Sequence, residues 1–370
     1  MIRWATGGGA WRRVLLPLVA GKALWLVVTA AVLLAMYGGD ALWTHVRASL
    51  TNWDAASYLD IAANGYPPML DYRDAFLPGF PLLIWLAGLV VRDVVAAAWL
   101  VTFAAEAFAL WYVYRLVTAE RARGDGLFAA WLIALAPTAL FLTAPFTEAP
   151  FIAAAAAALY YSRRGKPGAA VVAAMVACAI RLTGLALLPA LALEQLSRHR
   201  WRPRPEMLLL LLIPAPFVIY CLYMGARTAD PLAFFSAQAL PSFGHHLTAP
   251  WDGFATTWNT LVTAHGGETR SIFAREIAFG LLGLVLCIAT WVAPRFPRSL
   301  ALYSSLAWLM AASLSFWRSE PRYVLTLFPA VLLVCDITAR ARTARVAVAS
   351  ASAVLSGFGT AVYAVGRWLG

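Results

Sequence analysis

Long apolar runs constrain this chain more than any other feature. Residues 14–37, 94–117, 126–143, 207–224, 274–293, 299–316, 322–338 and 345–365 each carry few or no charges. A helix needs about 20 such residues to cross roughly 30 Å of hydrocarbon. The composition leaves no other use for them: 62% of the 370 residues are hydrophobic and 13% are charged. A soluble domain carries about 25% charged residues, because its surface faces water. No core of this size hides the surplus. The chain is therefore expected to be an all-α, polytopic membrane protein, folded as a single domain over 1–370.

The net charge of +11 would suggest nucleic acid in a soluble protein. Here the basic residues fall in short clusters between apolar runs, the pattern of cytoplasmic loops, so no nucleic-acid partner is expected. Lys22 and Lys166 are the only lysines, and an arginine bias of this kind is most simply that of a GC-rich bacterial genome. Cys178, Cys221, Cys287 and Cys335 lie inside apolar runs without metal-type spacing. They read as small core residues. The first apolar run follows Arg12 and Arg13 without a small-residue cleavage site, so it reads as a retained signal anchor.

The charge clusters also resolve two awkward stretches. Arg12/Arg13, Arg121/Arg123, Arg163/Arg164/Lys166, the run Arg198 to Arg204, Arg295/Arg298 and Arg340/Arg342/Arg345 should share the cytoplasmic side. That requires 77–91 to lie in the outer interface without crossing, and 149–162 to cross as one short span. Residues 167–196 must then form two half-length helices turning near Arg181–Gly184, a hairpin tolerable only where protein or a water-filled cavity surrounds it. One tilted span is the competing reading. About 11 membrane-crossing segments follow, with large extracytoplasmic loops at 38–93 and 225–273.

Under this topology the polar residues that break the apolar pattern gather on one side. They are Trp53, Asp54, Asp60, Tyr66, Glu148, Arg181, Asp230, Gln238, Arg318, Glu320 and Arg322. Charge at membrane depth is costly and usually lines a functional cavity. Asp54 shares a helical face with Trp53, Ser57, Tyr58 and Ile61. It suits a general base for a sugar hydroxyl, or the N-cap of a surface helix. Glu148 is either a hydrogen-bond acceptor for a sugar or a charge stabilising a helix N-terminus. Arg181 needs an anionic partner, a ligand phosphate or Glu148. Arg318 and Arg322 suit phosphate contacts or interfacial snorkelling. His245-His246 read as solvated loop residues, and Gly7-Gly8-Gly9 as a flexible N-terminus.

Several motifs resemble one family. The first loop carries Trp53-Asp54, Tyr58, Ile61-Ala62 and Gly65-Tyr66, then Ala75-Phe76-Leu77-Pro78 and Phe80-Pro81-Leu82-Leu83. Phe141, Thr143-Ala144, Phe146-Thr147-Glu148 and Phe151 follow, then Arg181-Leu182-Thr183-Gly184. The second loop has Asp230-Pro231-Leu232, Phe234 and Gln238, and the last motif is Pro321-Arg322-Tyr323 with Phe328-Pro329. In order and spacing, over roughly 12–335, the chain resembles the PIG-V family of GPI mannosyltransferase 2 type, within the GT-C superfamily. Phe146 stands where the family usually has tyrosine.

The resemblance implies a multi-helix GT-C bundle with a large first extracytoplasmic loop, in the plasma (inner) membrane, acting on the extracytoplasmic side. It implies a polyprenyl-phosphate mannose donor and inversion, with Asp54 as the catalytic base. Arg181, Arg322 and Arg318 would hold the lipid phosphate, and Trp53, Tyr58, Tyr66, Glu148 and Gln238 would contact substrate. No cofactor or metal is expected, since members of this type are taken to be metal-independent. The acceptor could be a glycolipid, a polyprenyl-linked glycan or a secreted protein. A lipid transporter or flippase is the alternative; it would show inverted repeats or paired broken helices, and only one broken segment is apparent.

Sidedness is directly testable. Cysteine probes at Gly65, Gly244 and Ser319 should react with an impermeant reagent added outside, and probes at Gly165, His199 and Arg342 should not. Outside labelling at Gly165 or His199 would overturn the hairpin topology.

Overall fold

The computed structural model describes residues 8–369, which are helical almost throughout; a single bridge between Leu247 and Leu314 is the one β pairing among them. Five described helices are long and apolar enough to cross a membrane: Trp11–Tyr37, Val94–Glu120, Pro205–Thr228, Gly267–Val292 and Arg342–Ala364. The remaining segments are shorter, so the expected count of about 11 crossings does not appear as 11 full-length helices.

Proline accounts for much of the difference, because it lacks a backbone donor and clashes with the preceding turn. After α1 (Gly8–Tyr37), α2 (Leu42–Ser49), α3 (Asp54–Asn64), α4 (Gly79–Val91) and α5 (Val94–Glu120), the run 126–143 divides into α6 (Arg123–Ala134) and α7 (Leu140–Thr143) on either side of Pro137. Then come α8 (Glu148–Arg163), α9 (Pro167–Ile180), α10 (Leu187–Arg198), α11 (Ala215–Thr228), α12 (Ala233–Ala239), α13 (Pro250–Thr263), α14 (Gly267–Val292) and α15 (Arg298–Ala312). The run 322–338 divides again, into α16 (Glu320–Thr326) and α17 (Val331–Ile337) around a 3-10 turn at Pro329, before α18 (Arg342–Ala364). Gly8 and Gly9 belong to α1 rather than to an irregular N-terminus, and Gly7 lies outside the described residues.

The stretch 167–196 is a hairpin. α9 ends at Ile180, residues Leu182–Ala186 form a 3-10 turn, and α10 runs back. Arg198, at the end of α10, donates to the carbonyls of Ser162 (3.3 Å) and Arg163 (3.1 Å), just before α9 begins. Arg163 also pairs with Glu194 at 2.8 Å. One tilted span would carry those ends apart. α4 is a 13-residue apolar helix, too short to cross, as expected of 77–91.

The short segments are buried where the long ones face outward. In α8, Ala149, Phe151, Ile152, Ala155, Ala156 and Ala158 are fully buried; small residues let neighbouring backbones approach closely. Glycine does the same at the hairpin. A Cβ on Gly184 would stand 2.6 Å from the Cys178 backbone nitrogen, and one on Gly79 would stand 2.6 Å from the Ala179 carbonyl oxygen. These approaches press α4 and the turn against the end of α9, beside Arg181.

Ion pairs fasten the opposite end of the bundle. Arg163 also holds Glu120 at 2.5 Å, Ser299 donates to Glu194 at 2.6 Å, and Arg121 grips Asp336 at 2.7 Å. Arg345 pairs with Asp125. The basic clusters thus gather at one end, and the loops 38–93 and 225–273 at the other.

Gly184→Ala should lower stability by ~1–3 kcal/mol, as overpacking against fixed backbone does. Thermal melting of the purified protein in detergent checks this, and an unchanged melting temperature would mean that the turn is free to expand.

Candidate active site

The residues that can do chemistry meet where four helix ends converge. α3 starts at Asp54 itself, after Trp53 takes a left-handed φ of 58°. That backbone, unusual for a bulky residue, swings the tryptophan ring outward and leaves Asp54 in the first turn. No side chain caps this helix, so the N-cap role considered for Asp54 is not realised. Glu148 is the first residue of α8, Arg322 follows Pro321 in the first turn of α16, and Arg181 occupies the extended link after α9.

These side chains form a chain of alternating charge. Asp54 Oδ2 accepts from Arg322 Nη1 at 2.5 Å, and Arg322 Nε donates to Glu148 Oε1 at 2.8 Å. Arg181 Nη1 donates to the same Glu148 oxygen at 2.6 Å and to Thr147 Oγ1 at 3.0 Å. Glu148 is fully buried, while the Arg322 and Arg181 side chains are 5% and 11% exposed. Asp54, at 22%, is the member open to solvent. Two acids and two arginines cancel, and this pairing is what makes burial of the set tolerable.

Aromatic rings complete the box. The Arg322 guanidinium lies 4.7 Å from the Phe146 ring centre and 5.3 Å from Phe141, and Arg181 lies 5.0 Å from Tyr323. Such contacts favour a partly desolvated cation, and Phe146 makes its contact without a hydroxyl. Tyr58 is buried one turn after Asp54, edge-on to Phe76 and Phe80.

Other residues singled out in the sequence stand outside this set. Asp60 accepts from Asn64 and pairs with Arg73, and these hydrogen bonds hold its carboxyl below the usual range. Tyr66 donates to the Phe76 carbonyl at 2.6 Å and packs against Tyr220 and Tyr223. Gln238 is half-buried in α12, its carbonyl accepting from the His245 amide at 2.8 Å. Arg318 does not join Arg322; its guanidinium lies over Trp368, 5.2 Å from the ring centre. His245 is not solvated as expected. It is buried and stacked on Phe316 at 4.3 Å, and burial lowers its pKa to about 4, whereas His246 is exposed.

Three further buried charged features have surroundings that sequence reasoning did not supply. Lys22 pairs with Glu106 between α1 and α5 and donates to Thr143 Oγ1 at 3.1 Å. Asp74 pairs with Arg227, fastening the first loop to α11. Glu276 of α14 accepts the Glu320 amide at 2.8 Å, while the Glu320 carboxyl is fully buried with neither oxygen hydrogen-bonded. Each could have been found as a charge inside or beside an apolar run, although its partner could not.

The family described as mannosyltransferase (PIG-V) matches residues 35–202, a span holding Asp54, Glu148 and Arg181. Across that span the chain is PIG-V-like. The human GPI alpha-1,6-mannosyltransferase 2 is 30% identical over 149 residues, 37% of this chain and 29% of the relative. The chain thus matches less than a third of that relative's length. Among solved structures, ArnT from Cupriavidus metallidurans bound to undecaprenyl phosphate superposes with a TM-score of 0.52 at 16% identity, covering 98% of this chain and 76% of ArnT. The chain therefore has an ArnT-like helical fold. An Archaeoglobus fulgidus oligosaccharyltransferase matches at TM-score 0.44 and 14% identity, over 93% of this chain and 54% of that one.

The charge chain makes a stability test specific. Glu148→Ala leaves two buried arginines short of an acid and should cost about 3–5 kcal/mol. Arg181→Ala should cost less, because Arg322 still holds Glu148. The double variant keeps the Asp54–Arg322 pair and should melt above Glu148→Ala alone. A Glu148→Ala protein melting with the wild type would contradict this account.

Proposed function

We propose that this chain is an inverting glycosyltransferase that moves mannose from a polyprenyl-phosphate donor to a lipid-linked or other extracytoplasmic acceptor, forming an α-mannoside. The observation that carries the reading is the charge chain, in which one partly exposed carboxylate heads a neutral set containing two aromatic-boxed arginines. The family match and the name of the human relative support mannose as the sugar. The undecaprenyl phosphate in the ArnT structure supports a lipid phosphate as donor. The gathering of basic clusters at the opposite end supports an extracytoplasmic site in the inner membrane.

In this reading Asp54 takes the proton of an acceptor hydroxyl, whose oxygen attacks the anomeric carbon. The bond from that carbon to the phosphate oxygen breaks, and its electron pair leaves with the lipid phosphate. Inversion turns a β-linked donor into an α-mannoside. The ion pairs use two nitrogens of Arg322 and one of Arg181, and a guanidinium carries five donors. In this reading the remaining N–H groups neutralise the leaving phosphate, and the step calls for no metal. A cavity of about 280 Å³ lined by Ile61, Tyr66, Pro81, Trp85 and Tyr223 lies between α3, α4 and α11. Its exposed Trp85 suits sideways access from the bilayer.

The Asp54–Arg322 pair adds a consequence. Before donor arrives Arg322 occupies the base, and an incoming phosphate competes for the same guanidinium. Asp54→Asn should therefore lower turnover about 10²–10⁴-fold, the usual range for losing a general base, and should also tighten binding of a polyprenyl phosphate. Arg322→Ala should weaken that binding. Near-normal turnover by Asp54→Asn from labelled polyprenyl-phosphate mannose, read by thin-layer analysis of products, would sink the assignment.

A further inference from the structure

One hydroxyl beside the charge chain has no hydrogen-bond partner. Tyr363 lies in the last turn of α18 and is 1% exposed. Its Oη is enclosed and unpaired, the one tyrosine hydroxyl in that state among the described residues. Other buried tyrosines are satisfied by backbone: Tyr220 donates to the Asp74 carbonyl at 2.7 Å and Tyr303 to the Thr326 carbonyl at 3.1 Å. A buried phenol normally finds a partner, and an unsatisfied one carries a desolvation cost. Phenylalanine would fill the same space without that cost.

The place of this ring is the second observation. Tyr363 packs in an apolar cluster with Trp25 of α1, Ala55 of α3, Phe141 and Phe146. It meets Phe141 edge-on at 6.4 Å and Phe146 at 6.2 Å, the two rings that lie against the Arg322 guanidinium. One turn earlier in α18, a Cβ on Gly359 would stand 3.0 Å from the Pro137 carbonyl oxygen. The helix is thus seated closely where Tyr363 leaves it. The hydroxyl is within electrostatic reach of both Arg322 and Asp54, yet it bonds to neither. Packing alone holds the ring, and the O–H stays free beside the charge chain.

An anion that draws Arg322 from Asp54 comes to this same corner. Two acceptors then stand near the hydroxyl, the carboxylate and the anion. A donor on Asp54 would stabilise its charged form and weaken it as a base. A donor on a phosphate would share the charge that the leaving group gains. We propose that Tyr363 is a further binding residue for the leaving lipid phosphate, donating its hydroxyl hydrogen to a phosphate oxygen once Arg322 has left Asp54. The tyrosine keeps its proton throughout. This rests on the glycosyltransferase reading above and adds a neutral donor from α18 to the two arginines.

Tyr363→Phe removes one oxygen and keeps the ring. Without ligand, the purified full-length variant should melt at or above the wild type, since an unpaired buried group is deleted. Tyr303→Phe, which loses a hydrogen bond already made, should melt below it. Calorimetric titration with undecaprenyl phosphate should show binding by Tyr363→Phe weakened about 10–100-fold, the scale of one hydrogen bond to a charged group. Transfer from labelled polyprenyl-phosphate mannose in native membranes should fall with it. A Tyr363→Phe protein melting well below the wild type would mean that the hydroxyl bonds within the protein, and would overturn the proposal. Unchanged binding would overturn it too, and unchanged binding with lost transfer would give the hydroxyl to Asp54 instead. Weakened binding of inorganic phosphate with undecaprenyl phosphate unaffected would overturn the lipid-linked source. A wild type that binds undecaprenyl phosphate but transfers no sugar would sink the glycosyltransferase reading, while weaker binding by the variant would still support Tyr363.

Discussion

One carboxylate oxygen organises the charge-bearing end of this protein. Glu148 Oε1 accepts from both Arg181 and Arg322, residues separated by more than a hundred positions in the chain. Through Arg322 it also reaches Asp54. α8, the α9–α10 hairpin, α16 and α3 therefore meet at a point enforced by charge. A buried guanidinium without an acid costs several kcal/mol, and so does a buried carboxylate without a cation. Neither Arg181 nor Arg322 can leave Glu148 at low cost unless another anion takes its place.

The helices around this point are interrupted where the lipid-facing ones are continuous. Broken backbone at membrane depth is tolerable only inside protein or beside a cavity. The hairpin turn at Arg181 and the proline-led start of α16 satisfy that condition, enclosed by α8, α15 and the first loop. The long helices carry exposed Leu, Val and Phe outward. The cost of irregular backbone is thus confined to the end that holds the charges, while ion pairs such as Arg163 with Glu120 and Glu194 close the other end. The pairing of Lys22 with Glu106 joins α1 to α5 between them. Trp53 and Trp368 meet edge-on at 4.9 Å and set the charge chain beside the end of α18.

Much of this was legible in the residues. The apolar runs and charge clusters give a membrane bundle with two different ends. The two half-length helices of 167–196 follow from Arg163 and Arg198 needing the same side, and the structure places those residues in contact. Asp54, Glu148, Arg181 and Arg322 were recognisable as charges that lipid could not accommodate. The helix count was less legible. Pro137 and Pro329 break runs that hydropathy reads as continuous, because an average over a window is blind to one missing donor. His245 was read as solvated because its loop is polar, and the ring of Phe316 that buries it lies 71 residues further on.

What the sequence determined by itself was local: which stretches belong in lipid, which side each cluster prefers, where the backbone breaks, and which charges need partners. Tertiary structure alone decided the partners. It gave Glu148 two arginines instead of one, bound Asp54 to Arg322, and carried Arg318 away to Trp368. Hydropathy and charge are properties of a residue and its near neighbours. A pairing depends on how separate helices rotate and pack, and no periodicity within one helix records the face that another will present to it.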